Sequence, residues 1–258
     1  MAANASRVFG EDLPDSDPSM LALAPDARIA VARVWLSRSQ NEHKTSFLFE
    51  HVLNAATALE ADGPVLTLAR RAIGDELRHA ELCRRVAERY ARSENPKAAE
   101  MSPIPQPRFR GCSERESALL CLVMHCCVNE TIASAYLKHC LDAARGNVAR
   151  VALRCLLRDE VDHSRLGWAH LASSRVDESE RRTVGDAMPE LLHAVRAAWL
   201  ASDDDLSEAA PEGHGSLPIR DVAAAVLAAV NDLIIPGLAH VGVDPSRARS
   251  WLSRQPLA

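Results

Sequence analysis

The chain has 258 residues, of which 47% are hydrophobic and 4% aromatic, with 11 glycines. That length can bury a substantial core as one domain, with or without an appendage, and the Ala-, Leu-, Arg- and Glu-rich mix reads all-α. A formal net charge of −5 excludes the basic surface that nucleic-acid binding requires.

Residues 1–25 are polar, carry three prolines and read as a flexible N-terminal arm. They lack the basic and apolar regions of a signal peptide. The longest apolar run, Ala118 to Leu137, carries Glu130 at its middle, so no membrane span is expected. Seven cysteines without any Cys-x-x-Cys read as reduced thiols in a cytoplasmic protein.

A first helix is expected from Asp26 to Glu60, stopped by Ala61-Asp62-Gly63-Pro64 with Gly63 as terminator and Pro64 opening the next helix. Helix two covers residues 65–92. Ser93 to Ser113 holds Pro96, Pro103, Pro105 and Pro107 without periodicity; extended, about 20 residues span about 60 Å, enough to cross a bundle end to end. Helix three, 114–143, is apolar on nearly every side, and Glu130 is its only charge between Glu116 and Lys138. Gly146-Asn147 marks a turn, and helix four covers 148–174. A fifth helix at 177–201, an acidic linker through Gly215, a sixth helix at 218–240 bent at Pro236 and a short basic helix at 245–254 complete the chain. The organisation is an arm (1–25), a four-helix bundle (26–174) and a helical extension (175–258) that packs on the bundle or forms an oligomer contact, such as a homodimer interface.

Two short stretches stand out, Asp75-Glu76-Leu77-Arg78-His79 and Asp159-Glu160-Val161-Asp162-His163. Glu and His three apart on a helix share a face, so both can reach one ion. Glu76 lies on the apolar line Leu66, Ala69, Ile73, Ala80, Cys83, with His79 beside it. Glu160 and His163 continue the line Ala149, Leu153, Leu156 towards Gly167. Burying an unpaired carboxylate costs several kcal/mol or more, and neither stripe carries a Lys or Arg. A metal is the partner that remains. Glu130, an isolated acid on a buried helix, is a third ligand on the same reasoning. On helix one, Glu42, Glu50 and Glu60 compete. Hairpin geometry favours Glu50, 26 residues before Glu76; but Glu42 is 34 before Glu76, close to the 30 between Glu130 and Glu160. Glu42 also lies on the apolar line Trp35, Ser39, Ser46, Phe49, Leu53 and is the choice. The expected ligands are therefore Glu42, Glu76, His79, Glu130, Glu160 and His163, with no catalytic residue beyond them.

Over residues 30–172 this pattern resembles the ferritin-like di-iron carboxylate superfamily, whose bundles take a Glu from each of two helices and Glu-x-x-His from each of two others. It further resembles an uncharacterised bacterial ferritin-like group in Glu42-His43, Asp75-Glu76-x-x-His79-Ala80 and Asn129-Glu130-Thr131, departing from that group's Gly-Glu-Thr at Asn129. The resemblance implies a four-helix bundle with its long crossover between helices two and three. It also implies that Asp75 holds His163 and Asp159 holds His79. Four carboxylates and two imidazoles suit two iron ions, with manganese as the other fit. The expected function is O2 activation by an oxidase or oxygenase of a small organic substrate, with an unknown electron donor. The alternative is a ferroxidase, iron-handling or peroxide-scavenging protein. The pocket wall is expected from Phe49, Leu53, Cys83, Met124, Cys127 and Leu156, with room at Gly167. Ser134, one turn beyond Glu130, is expected to bond back to its own backbone.

Overall fold

Proline placement opens the long helices: Pro25 and Pro64 lie in the first turns of α2 and α3, where a missing N–H costs nothing. The computed structural model describes residues 7–8, 11–92, 109–201 and 209–256. Most of the expected crossover, residues 93–108, lies outside the described residues. The elements are α1 (Pro18–Leu21), α2 (Pro25–Ala58), α3 (Gly63–Ala91), α4 (Glu114–Leu122), α5 (Glu130–Ala143), α6 (Asn147–Ala172), α7 (Glu178–Ala201), α8 (Ile219–Ala229), α9 (Ile235–His240) and α10 (Ser246–Leu252). Apart from a two-residue antiparallel pairing of Arg7–Val8 with Glu11–Asp12, the regular structure is helical throughout the described residues. The fold is all-α.

Two π-helical segments interrupt this pattern. Val123–Asn129 joins α4 to α5, and Val230–Ile234 joins α8 to α9. The second has a local cause: Pro236 offers no N–H to the preceding turn and its ring crowds that turn's carbonyl, so the expected bend is taken up as a wide turn just before it. Ser113 starts α4 with a reciprocal capping box, accepting from Glu116 N while the Glu116 side chain accepts from Ser113 N.

The end of α2 departs from the sequence expectation. Gly63 does not terminate it but begins α3. The left-handed residue is Glu60, φ 52°, and Ala61 N reaches back to Ala56 O at 3.0 Å. This is a Schellman turn carrying a side chain where glycine is usual, at a cost of about 1–2 kcal/mol.

α2 packs on α3, α5 on α6, α3 on α6 and α2 on α4. Two apolar clusters fill the bundle. One holds Trp35, Leu82, Val86, Tyr90, Leu137, Leu153 and Leu156. The other holds Phe49, Val52, Ala72, Leu122, Val128 and Leu166, together with α7 to α10. Each fully buried large side chain contributes about 1.5–3 kcal/mol. On α2, α3 and α6 the polar candidates fall between the two clusters: Glu42 between Trp35 and Phe49, Glu76 and His79 between Ala72 and Leu82, Glu160 and His163 between Leu156 and Leu166.

The C-terminal helices lie against this bundle, α7 on α4 and the first π segment, α8 on α5 and α7, α10 on α7. At the other end of the chain, Leu13, Asp17 and Met20 are buried, and Asp17 accepts from Met20 N and Val148 N, both at 2.9 Å, capping α1 and the start of α6 together. Glu114–Ala143 and Ile219–His240 are each long and apolar enough to cross a membrane by length and composition. The first is largely buried in the bundle and carries Glu130 inward.

Candidate metal centre

Four helices deliver the six candidate ligands to one place. α2 brings Glu42, α3 brings Glu76 and His79, α5 brings Glu130, and α6 brings Glu160 and His163. Donor atoms of Glu42, Glu76, His79 and Glu160 lie within 4.8 Å of one another, and so do those of Glu76, Glu130, Glu160 and His163. Glu76 and Glu160 belong to both groups, which is the arrangement of two ion positions sharing two carboxylates. Five of the six are at most 3% exposed; the Glu42 side chain is 14% exposed. Glu50, its competitor, faces solvent.

The pairing is crosswise between the halves of the bundle. His163 Nδ1 lies 2.9 Å from Glu76 Oε1 and 3.0 Å from Glu160 Oε2. His79 Nδ1 lies 3.3 Å from Glu160 Oε1 and 3.8 Å from Glu42 Oε2. Both imidazoles therefore turn Nδ1 to the centre and Nε2 outward. His79 Nε2 meets Asp159 Oδ2 at 3.4 Å, and His163 Nε2 lies 3.5 Å from Asp75 Oδ2. A carboxylate at the outer nitrogen fixes the tautomer that leaves the Nδ1 lone pair free for a metal. Arginines on the surface hold the aspartates in turn: Arg71 and Arg78 pair with Asp75, and Arg158 lies 3.4 Å from Asp159.

Burial and mutual repulsion sort the ionisable groups. Burial, with the Glu76 and Glu160 charges, pushes Glu42 up to about 8. Burial and the neighbouring Glu160 push Glu130 well above the usual carboxylate range. Burial alone would raise Glu76 and Glu160 too, but the two histidines hold both low. Burial opposes charge on the imidazoles, yet the surrounding carboxylates raise His163 to about 10 and His79 well above 6.5. The metal-free site thus favours protons on Glu42, Glu130, His79 and His163 and negative charge on Glu76 and Glu160.

The residues present fit two divalent cations. Among the described residues, none of the four glutamates pairs with Lys or Arg, and neither Glu76 oxygen is in hydrogen-bond geometry despite complete burial. Such a carboxylate is costly unless something else compensates it. Oxygen-rich ligation with two imidazoles suits iron or manganese.

Several features of the site had no signal in the helical pattern. Glu130 follows directly on the π segment, whose wider turn lets its N–H reach His125 O. Such one-turn excursions cluster at functional sites. Asn129 donates to Glu130 Oε1 at 3.1 Å and accepts from Trp199 Nε1 at 3.0 Å, tying α7 to the centre; its side chain was visible in the sequence only as a departure from glycine. Gly167 does not leave room as expected. A Cβ there would meet Cys126 Cβ and Cys127 Sγ, both at 2.7 Å, so the glycine lets α6 pack directly on the π segment. Ser134 does not bond back to its backbone, and its hydroxyl is buried without a hydrogen bond among the described residues.

Beside the centre lies a cavity of about 690 Å³. Glu42, Glu76, Glu130 and Glu160 line it, so it opens on the candidate ligands. Its far wall is not the one expected. Of the residues anticipated there only Met124 takes part, and Ala194, Val195, Ala198 and Trp199 of α7 with Ile219 and Val222 of α8 supply the apolar side. Arg38, Asn41, Lys44 and Thr45 of α2 supply a polar side, and the buried His125 adds a ring whose pKa burial and His51 lower to about 4.

No protein-family model matches the chain, and no curated protein matches it in sequence. Among solved structures it is similar to protein 19 with aldehyde deformylating oxidase activity from Synechococcus. The TM-score is 0.57 and the identity 17%, over 90% of this chain and 98% of the other. At that identity the likeness is one of fold. The chain is an all-α, ferritin-like helical bundle with a carboxylate and histidine cluster able to hold metal.

Proposed function

We propose that this chain is a di-iron carboxylate oxidase or oxygenase that turns O2 on a small organic molecule. The observation that carries the reading is the convergence of six candidate ligand side chains, five of them buried, at a centre whose four glutamates line a cavity of about 690 Å³. That volume lies in the range of small-molecule sites. The oxidase activity of the structurally similar Synechococcus protein supports the same class of chemistry at the level of fold analogy.

Glu42, Glu76, His79 and Glu160 would hold one ion, and Glu76, Glu130, Glu160 and His163 the other. When bound, the iron pair supplies the electrons that reduce O2 and the oxidising power delivered to substrate. The chain's own residues do the rest. Asp159 would accept from the outer nitrogen of His79, and Asp75, 3.5 Å from His163 Nε2, would face that ring's outer nitrogen, each favouring a ligating orientation. Asn129 holds Glu130 by one oxygen. The apolar faces of α7 and α8 exclude water from the substrate side. A cytoplasmic setting belongs to the same proposal, supported by seven cysteines without a disulfide.

Iron handling is the competing reading. Among the residues lining the cavity, the only acids are the four glutamates of the centre, so no acidic path for ions leads into it there. Anaerobic loading with Fe²⁺ followed by O2 tests the choice. The expected result is two irons per chain and a single oxidised centre. Uptake of tens of irons per chain as mineral would establish storage instead.

A further inference from the structure

The cavity wall carries a guanidinium that has no carboxylate partner among the described residues. Arg38 lies 4.7 Å over the Trp35 ring and 5.7 Å from the Tyr136 ring. Its Nη2 donates to Gly215 O at 2.8 Å and to Tyr136 Oη at 3.4 Å, while its buried Nη1 has no hydrogen-bond partner among the described residues. Among the described residues no carboxylate comes within ion-pair distance of it. Lys44, on the same side, likewise has no ion-pair partner there. These two are the cations lining the cavity, against the four glutamates of the centre.

Those glutamates gather around the two imidazoles of the centre, and none of them comes within ion-pair distance of Arg38. A guanidinium held between two rings presents its remaining N–H groups in a fixed plane, a geometry that matches a carboxylate. Its buried Nη1 is a donor left without an acceptor among the described residues. The same cavity is lined by Val195, Trp199 and Val222, which fit hydrocarbon. Arg38 and Glu42 are one helical turn apart on α2, about 6 Å along the axis.

We infer that the cavity takes an amphipathic monocarboxylate, its carboxylate on Arg38 with Lys44 in support and its hydrocarbon part along α7 and α8, close to the metal centre. This names the substrate class for the oxidase reading and rests on it. Arg38 is in this role a specificity-determining residue that touches substrate.

Binding of octanoate, octan-1-ol, octylamine and octyl phosphate to the purified full chain, by calorimetry, tests this in chelator-treated and Zn²⁺-loaded protein. Octanoate is expected to bind at least tenfold more tightly than the other three in both states. Arg38→Gln should remove that preference and leave octanol binding as in the parent, which also reports that the variant is folded. If Arg38→Gln does not fold, Arg38→Lys, which keeps the charge but loses the fork, should cut the preference to about threefold. Octanol or octyl phosphate binding as tightly as octanoate would overturn the inference. So would a preference undiminished in the variants, or one present only with metal, because the ions would then be holding the carboxylate. Failure to take up metal, with the carboxylate preference intact, would instead remove the oxidase reading and leave this subsite standing.

Discussion

His163 Nδ1 on α6 stands 2.9 Å from Glu76 Oε1 on α3, closer than to the glutamate of its own motif. Each imidazole thus faces glutamates from both halves of the bundle. The first prediction follows from it. Glu76 faces both ion positions, so Glu76→Ala should abolish the rise in melting temperature caused by Fe²⁺ or Mn²⁺. In the parent, a hundredfold excess over Kd adds about 2.7 kcal/mol, or roughly 5–10 °C for a chain of this size. Glu50→Ala, at an exposed position, should leave the response intact. Anaerobic thermal melts with and without metal decide it.

Metal loading should expel protons. The metal-free site favours protons on Glu42, Glu130, His79 and His163, and each must leave before its atom ligates. Net proton release should therefore accompany binding, measured from calorimetric heats in buffers of different ionisation enthalpy. Binding with no net proton release would contradict those shifts.

The same groups set the sign of the stability profile. Glu42, Glu130, His79 and His163 have folded-state pKa values above their ordinary ones, so the metal-free fold binds extra protons and its stability falls as pH rises. For Glu42 the loss runs from about 4.5 to about 8, for His163 from about 6.5 to about 10. Glu76 and Glu160 are shifted down, and their contribution disappears only on the acid side, as pH falls below about 4.5. Chemical denaturation of metal-free protein should therefore show lower stability at pH 9 than at pH 6. Metal, by replacing the protons, should flatten or reverse that slope.

Asp159→Asn should weaken metal binding by about 10–100-fold, as loss of a partner to a ligating histidine does elsewhere. The helical signal in circular dichroism should be unchanged. Equilibrium dialysis against a competing chelator measures the affinity, and an undiminished value would show that Asp159 merely answers Arg158.

Two glycines should respond in opposite ways to alanine. Gly167→Ala drives a methyl into Cys126 and Cys127 and should cost about 1–3 kcal/mol in urea denaturation. Gly63 has nothing within 4 Å of an added Cβ and sits in the first turn of α3, where Gly63→Ala should be neutral or stabilise by up to about 1 kcal/mol.

The convergence of the candidate residues could be read from the chain because each Glu–His pair is local and helical spacing decides its face. Glu42 required only one further step, the comparison of spacings in the two halves. The cavity was not legible in this way. Its wall on α7 and α8 is an ordinary apolar stripe in sequence, and which stripe covers the centre is settled by tertiary packing. Nor does any residue pattern announce the π segment at Val123–Asn129, where one additional residue is absorbed without a Pro or Gly to mark it. Gly167 shows the ambiguity plainly: a missing side chain on a buried face allows either a space or a contact, and only the neighbouring helix chooses.

Exchange of the halves maps Glu76 onto Glu160, His79 onto His163 and Asp75 onto Asp159, but Glu42 and Glu130 do not match. Glu42 is partly open and sits on a regular helix; Glu130 is shut in, bonded to Asn129 and preceded by the wide turn. The broken two-fold symmetry makes the two ion positions inequivalent in time. An ion beside Glu42 has the shorter way out and would trade with solvent first. Its companion beside Glu130, behind α7, would leave last, so a partly depleted molecule is one that still holds its inner ion.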